Sequence, residues 1–466
     1  MAVMTTEVLF DEELMRRYDR EGPRYTSYPT AVQFHEGIGL SRYAEAAATS
    51  PGALAKAPLS LYVHIPFCRS PCFYCGCTKV VTRRMDQADA YLVRLAQEIA
   101  LRSRYFDRAR EIEQLHFGGG TPTFLTQDGL AGVIETLDRH FRLSRAEGRD
   151  YSIEIDPRTV DPQRLRSLAQ LGFNRVSLGV QDYDPQVQRA INRVQPVESV
   201  TRLVVAAREL GFRSLNFDLI YGLPRQTPDT FAATLATVIA QRPDRLAVYG
   251  YAHMPQAFKA QRQIEPEDLP GAALRLALLK QAIDTLTAAG YAYIGMDHFA
   301  LPADSLAQAR ENGTMHRTFQ GYTTHASRDL VGLGVSAIGQ VGGLYVQNQK
   351  TISPYSAMLD ANRLPLHRGV SMSDDDVLRG DVIQQIMCHG AVDVESVERR
   401  FAVDFDAYFA DELERLGTLV SDGLVERDGR RIALTPRGHL LMRNVAMVFD
   451  AYKNAGAGAP RLSRVI

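Results

Sequence analysis

Cysteine is scarce in this chain, with five among 466 residues. So few thiols in so long a chain exclude the disulfide framework of a small secreted domain. Neither sign of charge is in excess: 53 basic and 54 acidic residues leave a formal net charge of −1. That balance excludes the broad positive footprint of a nucleic-acid-binding protein. Long apolar runs are missing too. No stretch approaches the roughly twenty apolar residues of a membrane-spanning helix, so no span is expected. The opening Met1-Ala-Val-Met-Thr-Thr-Glu-Val8 lacks a basic segment followed by an apolar one, and no export signal is read from it. Repeats beyond a strand–helix alternation are absent, and low complexity is confined to residues 455–460. What remains is ordinary globular composition, 45% hydrophobic and 23% charged. It suffices for a sizeable core in two or three domains, or in one large barrel with additions. Reduced cysteines without an export signal point to the cytoplasm.

Four of the five cysteines fall within Tyr62-Val-His-Ile-Pro-Phe-Cys68-Arg-Ser-Pro-Cys72-Phe-Tyr-Cys75-Gly-Cys77, and the first three are spaced C-x3-C-x2-C. Structural zinc draws its ligands from two separated pairs, which this chain lacks. Three thiolates can instead hold three irons of a [4Fe–4S] cube and leave the fourth open to a substrate or cofactor, whereas four thiolates usually make an electron carrier. The spacing therefore predicts a cluster on Cys68, Cys72 and Cys75.

The middle of the chain alternates short apolar runs with amphipathic stretches. Strands are expected at 60–64, 114–117, 151–155, 175–180, 215–220 and 246–251, with a further one at 293–298. Helices are expected at 88–105, 128–141, 162–171, 197–210, 228–240 and 272–289. Such alternation implies parallel strands joined by right-handed crossovers, and six units predict an α/β fold built on a partial (β/α)6 barrel. The chemistry-bearing residues fall where strands end: the cysteine loop, Gly118-Gly-Gly-Thr121-Pro122, Glu154 and Asp156, Gln181, Asp218, and Ala252. In barrels of parallel strands that end carries the active site. Residues 1–57 form an expected N-terminal arm containing the proline-bounded Pro23-Arg24-Tyr25-Thr26-Ser27-Tyr28-Pro29. Residues 58–373 form the barrel, and 374–466 a mainly helical, winged-helix-like domain with a hairpin turning at Asp428-Gly429. Residues 401–450 carry nine acids against six bases, a net of −3, so packing or substrate covering is favoured there over DNA binding.

C-x3-C-x2-C after an early barrel strand is the signature of the radical S-adenosylmethionine enzymes. Within them, residues 23–30, 62–77, 118–123, 181–182, 192–193, 218–224, 295–299, 319–324 and 332–338 resemble the oxygen-independent coproporphyrinogen III oxidases (dehydrogenases), and the likeness runs to 464–466. It implies a barrel of the radical-SAM type, with a reduced cluster that cleaves S-adenosylmethionine to methionine and a 5′-deoxyadenosyl radical. That radical takes a hydrogen from a propionate β-carbon of coproporphyrinogen III. Loss of CO2 and an electron leaves a vinyl group, and two such reactions give protoporphyrinogen IX on the route to haem. The protein supplies placement and the exclusion of oxygen and water.

The resemblance also implies one [4Fe–4S] cluster and two S-adenosyl-L-methionine molecules. It places Tyr62, Gly119, Glu154 and Ile338 at the cluster-bound molecule, and Tyr74, Gly120, Thr121, Gln181, Arg193, Asp218 and Ala252 at the second. Phenylalanine also occurs in the family at Tyr74. Gly119 is expected to admit the methionine moiety closely, Glu154 to face a ribose, and Arg193 to grip a carboxylate bidentately. Cys77 would close the open iron as a fourth ligand, so it is expected beside the cluster, and Cys388 is expected to be buried filler on a helix. A substrate with four carboxylates calls for cations, with Arg24 first and Arg317 and Arg328 behind it. No catalytic residue is expected beyond cluster and cofactor. The partners implied are coproporphyrinogen III and an electron donor such as a flavodoxin or ferredoxin system, with no nucleic acid and a monomeric chain. Three rivals stand beside the oxidase: a haem-binding chaperone-like relative, a radical porphyrin methyltransferase or ring-opening enzyme, and a DNA-binding regulator.

Overall fold

The computed structural model describes residues 8–325, 329–454 and 464. The candidate Arg328, the run at 455–460 and residues 465–466 lie outside the described residues, as do the first seven of the arm. By compactness the chain groups into two units that interleave in sequence. The larger is Phe34–Gly271 with Ser327–Ser371, and the smaller is Met1–Gln33, Ala272–Ala326 and Met372–Ile466.

The larger unit is organised by six parallel strands in chain order. They are Leu59–Ile65, Ile112–Gly119, Asp150–Ile155, Arg175–Gln181, Ser214–Tyr221 and Arg245–Gly250. Each contains the run expected from sequence or misses it by one residue at the end, because a short apolar run bounded by glycine, proline or polar residues has room for little else. Leu59, Leu61, Val63 and Ile65 are fully buried, as suits a sheet covered by its crossover helices. Several of those helices begin on side-chain caps, though Met85–Ser103 and Val197–Glu209 do not. Thr126 accepts from Gly129 N–H, Asp161 accepts from Arg164 N–H ahead of Pro162, and Thr227 forms a reciprocal capping box with Thr230.

Beyond the first strand the sheet continues in a direction that the sequence pattern did not disclose. Leu330–Leu333 pairs parallel to it, and Ile338–Val341, Leu344–Asn348 and Leu366–Ser371 follow as an antiparallel meander. The order is open rather than cyclic, so the barrel is partial. Residues 50–57 belong to this unit through one buried carboxylate: Asp329 accepts from Ser50 Oγ at 2.6 Å and Arg110 Nη2 at 2.7 Å, and Arg110 Nε donates to Ala57 O. This accounts for the placement of the arm's second half with the barrel.

The smaller unit contains the expected C-terminal helices Asp374–His389, Val394–Phe401 and Ala410–Ser421. A three-stranded sheet accompanies them, its hairpin Val425–Arg427 and Arg431–Leu434 turning through Gly429 at φ 56°. Cys388 lies buried on the first helix, with its thiol against Gln384 Oε1. The single strand expected at 293–298 is instead two antiparallel strands, Ala292–Gly295 and His298–Ala300. Met296, at φ 52°, reverses the chain between them and carries Asp297 to the tip. Residues 22–30 are not helical, as expected of the arm, and they are tied to the end of the same unit. Arg443 Nε donates to Pro23 O at 2.9 Å, Tyr25 OH to Asp450 at 2.8 Å, and Ala451 N–H to Tyr28 OH at 3.0 Å. Among the described residues no helix is long and apolar enough to cross a membrane.

Candidate active site

Cys68, Cys72 and Cys75 lie on the loop that leaves the first strand, and that loop is held at both ends. Val80 N–H returns to Pro66 O at 2.6 Å and Thr82 N–H to Cys68 O at 2.9 Å, while Phe73 N–H donates to Ile191 O at 3.0 Å. Each sulfur has a donor facing it. Thr121 Oγ1 lies 3.5 Å from Cys68 Sγ, Arg158 Nη2 and Arg193 Nη1 lie 3.4 and 3.3 Å from Cys72 Sγ, and Cys77 N–H donates to Cys75 Sγ at 3.4 Å. Donors of this kind suit thiolates bound to iron. Burial pushes the Cys68 thiol up to about 11, so loading metal there must release a proton. Among the described residues no three His, Cys, Asp or Glu side chains converge as they would on a single ion. A cube takes one thiolate per corner iron and does not need that convergence, so the donor set fits a cluster.

The Gly118–Gly120 turn at the end of the second strand lies directly under the loop. Gly120 N–H donates to Ile65 O at 2.8 Å and Thr121 N–H to Phe67 O at 2.9 Å. A Cβ on Gly120 would sit 2.8 Å from Pro66 O, and one on Gly119 2.7 Å from Ile65 O, where φ is already +122°. The close approach that these glycines permit is therefore first of all to the cysteine loop itself.

Next to the turn, Glu154 accepts from Gly119 N–H at 3.2 Å and lies 3.2 Å from His116 Nε2, while His116 Nδ1 lies 2.7 Å from Ser152 Oγ. The Tyr62 ring stacks on His116 at 5.8 Å. Tyr62 OH reaches His64 Nδ1 at 3.0 Å, and His64 Nε2 lies 3.0 Å from Thr78 O. A carbonyl only accepts, so Nε2 carries the proton and Nδ1 receives the phenol's hydrogen. Burial holds His64 below the usual histidine range, consistent with this neutral ring. Ile338 starts its strand beside Gly332, which pairs in register with Tyr62.

On the other side Arg193, 5% exposed, collects several partners. Its Nε and Nη2 donate to Gly179 O at 3.1 and 2.6 Å, and its Nη1 reaches Cys72 Sγ and Asp156 Oδ2. Of its five N–H groups one is left, so a bidentate grip on a carboxylate would require Asp156 to yield. Gln181 is buried and left-handed at φ 66°. Gln261 ties Tyr74 O and Ala252 O together at 2.9 and 3.1 Å, with Ala252 itself exposed. Asp218 accepts from Ser177 Oγ and Asn216 Nδ2, both at 2.9 Å. Burial, and then the neighbouring Glu154, push its carboxyl up to about 6.

The residues expected at cluster and cofactor thus all belong to the larger unit, whereas Arg24 belongs to the smaller one, where it pairs with Asp297. Sequence reasoning passed over Arg158, which clasps Asp156 at 2.7 Å as well as facing Cys72. Its position three residues past the end of the third strand was the available signal.

The sequence description of the Radical SAM superfamily matches residues 62–238, and that of the HemN C-terminal domain matches 372–441. The oxygen-independent coproporphyrinogen III oxidase of Pseudomonas aeruginosa is 50% identical over 463 residues, covering 99% of this chain and 100% of that protein. The Escherichia coli enzyme of the same name is 45% identical over 460 residues, with 99% of each chain covered.

The chain belongs to the oxygen-independent coproporphyrinogen III oxidase family.

A solved structure from Escherichia coli, described as coproporphyrinogen III oxidase (HemN) and a radical SAM enzyme, superposes with a TM-score of 0.91 over 96% of this chain and 100% of that one, at 45% identity. Membership of this radical SAM family implies a [4Fe–4S] cluster and S-adenosylmethionine, and the cysteine loop with its sulfur donors fits the first. The partial barrel and helical C-terminal region expected from sequence are those of this coproporphyrinogen III oxidase family.

Proposed function

We propose that this chain carries out the anaerobic oxidative decarboxylation of two propionate side chains of coproporphyrinogen III to vinyl groups, giving protoporphyrinogen IX for haem synthesis. The observation that carries the reading is the three-cysteine loop at the mouth of a parallel partial barrel, each sulfur faced by a donor, in a chain similar over its whole length to oxidases of this reaction. Held by Cys68, Cys72 and Cys75, a cluster with S-adenosylmethionine would supply the radical chemistry that removes the propionate hydrogen.

The chain's own part is placement. Cys68, Cys72 and Cys75 hold the cluster, with Thr121, Arg158 and Arg193 steadying the sulfurs. Tyr62, Gly119, Glu154 and Ile338 surround the cofactor on the cluster. Tyr74, Gly120, Thr121, Gln181, Arg193, Asp218 and Ala252 form the place of a second S-adenosylmethionine, and Arg24 faces a propionate. Electrons come from a flavodoxin- or ferredoxin-type donor to a monomeric, cytoplasmic enzyme.

The test is anaerobic reconstitution with iron and sulfide, followed by reductant, S-adenosylmethionine and coproporphyrinogen III. Two CO2 per porphyrinogen, 5′-deoxyadenosine and a divinyl product are expected. Cofactor consumption with methylated product, or haem binding without CO2, would replace this reading with one of its relatives. A pH profile examines the second cofactor site. Asp218 is ionised only above about pH 6, and a carboxylate attracts the sulfonium cation more than the acid does. Binding of the second molecule should therefore hold above pH 6 and weaken as pH falls through it. Asp218→Asn should abolish that dependence in equilibrium dialysis, and a profile identical to the parent's would remove Asp218 from the site.

A further inference from the structure

Cys72 is positioned by the chain on either side of it. Phe73 N–H donates to Ile191 O at 3.0 Å, and Asn192 Nδ2 donates to Pro71 O at 2.7 Å. The turn that carries Arg158 is likewise closed without its guanidinium. Asp156 accepts from the Arg158 backbone N–H at 3.1 Å, and Thr159 Oγ1 donates to Asp156 O at 2.8 Å. What the Arg158 side chain adds is charge. Its Nη2 lies 3.4 Å from Cys72 Sγ, its Nε and Nη2 hold Asp156 Oδ1 and Oδ2 at 3.0 and 2.7 Å, and its Nη1 donates to Asn192 O at 3.2 Å.

The three sulfurs are not served alike. Cys68 faces the Thr121 hydroxyl, and Cys75 faces a backbone N–H, with the Lys79 ammonium on its own carbonyl at 3.0 Å. Cys72 is buried and faces two guanidiniums, Arg158 and Arg193, which both contact the same carboxylate, Asp156. Burial by itself would raise the Asp156 carboxyl, but Arg193 and then Arg158 hold it below the usual range, so it is ionised. A guanidinium keeps its proton throughout. With the Arg158 and Asp156 side chains only 22% and 11% exposed, these charges act on the sulfur through little water.

One-electron reduction adds a negative charge to a [4Fe–4S] cluster, and a cationic donor on a ligand sulfur favours the more negative state. We infer that Arg158, through its hydrogen bond to Cys72 Sγ, raises the reduction potential of the cluster, and that Asp156 limits the rise by sharing its charge. Arg158 is then a positioning residue that acts through Cys72. It sets what fraction of the cluster an electron donor of given potential keeps reduced. The inference rests on the cluster reading above and not on the identity of the substrate.

The experiment is a redox titration, followed by electron paramagnetic resonance, of the full-length reconstituted protein without S-adenosylmethionine or porphyrinogen. Iron and sulfide are determined on the same samples. Arg158→Gln should keep the cluster and shift the reduction equilibrium about tenfold toward the oxidised state, a fall of about 59 mV for one electron. Arg158→Lys, which keeps the charge, should recover most of that shift. Asp156→Asn should move the midpoint upward, because both guanidiniums lose a counter-charge while the amide oxygen still accepts from them. A merely structural pair would shift both variants in the same direction or lose iron in both. The inference is overturned by a less than twofold shift in Arg158→Gln, about 18 mV, by an unchanged or lowered midpoint in Asp156→Asn, or by iron loss in both. If only one of these two variants holds the cluster, that variant decides. A parent protein that takes up no cluster removes this inference together with the cluster reading. A parent that holds the cluster and releases no CO2 from coproporphyrinogen III removes the oxidase reading alone.

Discussion

Serine in place of Cys72 should strip the reconstituted protein of its cluster, taking bound iron from about four per chain to near none and 5′-deoxyadenosine formation below detection. Cys68→Ser and Cys75→Ser should do the same. With two of the three thiolates remaining, no corner arrangement leaves one iron free for the cofactor while the others stay anchored. Cys77→Ser should behave differently, although Cys77 lies only two residues beyond Cys75. Residue 77 touches the site through its backbone N–H, which donates to Cys75 Sγ, and through its thiol, which hydrogen-bonds Cys75; serine keeps the first and has a hydroxyl for the second. The hydrogen bond to Cys75, and then burial, push the Cys77 thiol well above its ordinary value, which suits a protonated neighbour of the cluster rather than a thiolate ligand. Iron and sulfide content, with the visible charge-transfer absorption of the cluster, separates the two outcomes. Equal iron loss in Cys72→Ser and Cys77→Ser would make Cys77 a fourth ligand and leave no iron open for S-adenosylmethionine.

The positions of the six barrel strands were legible because each is a short apolar run between turn residues, and a buried parallel strand has no solvent face to interrupt it. The cysteine loop was legible for a different reason, since its chemistry is written in local spacing. What escaped was whatever is assembled from distant parts of the chain. The meander from Ile338 to Ser371 mixes glycine and polar residues with its apolar ones, so it lacks a clean period of two. The run at 293–298 read as one strand because nothing in Ile294-Gly-Met-Asp-His298 announces a reversal, although Met296 takes the left-handed conformation that makes one. Arg158 was a polar residue among many until the fold set it against Cys72. Asp297 likewise acquires a partner only in the fold, where it pairs with Arg24, more than two hundred positions away. Local pattern reveals elements and contiguous motifs, whereas charge balance is a property of the assembled neighbourhood.

Removing one buried carboxylate from the larger unit should cost more stability than any exposed substitution. Glu98 is fully buried and accepts four hydrogen bonds: from Arg102 Nη2 at 2.9 Å and from Asn348 Nδ2, Tyr355 OH and Gly334 N–H, each at 2.7 Å. Glu98→Ala deletes all four and leaves the Arg102 charge, itself 1% exposed, without its carboxylate. Breaking a buried pair from one side costs about 3–5 kcal/mol, a large share of the roughly 5–15 kcal/mol that holds a protein folded. Glu98→Gln should cost less, since an amide oxygen still accepts from two of these donors, but its NH2 has to face groups that are donors themselves. The midpoint of urea unfolding measures both. The consequence extends to the cluster. Gly334 is followed by Val335, whose N–H donates to Tyr91 OH at 3.0 Å, and that hydroxyl in turn donates to His64 O at 2.7 Å, near the end of the first strand and four residues before Cys68. The same carboxylate therefore anchors the turn that leads to Ile338 and, through Tyr91, the strand that delivers the cysteines. Glu98→Ala should lower iron incorporation together with stability, whereas Cys72→Ser should lower iron alone. A variant that lost less than about 1 kcal/mol and loaded iron fully would show that this network is not what holds the loop in place.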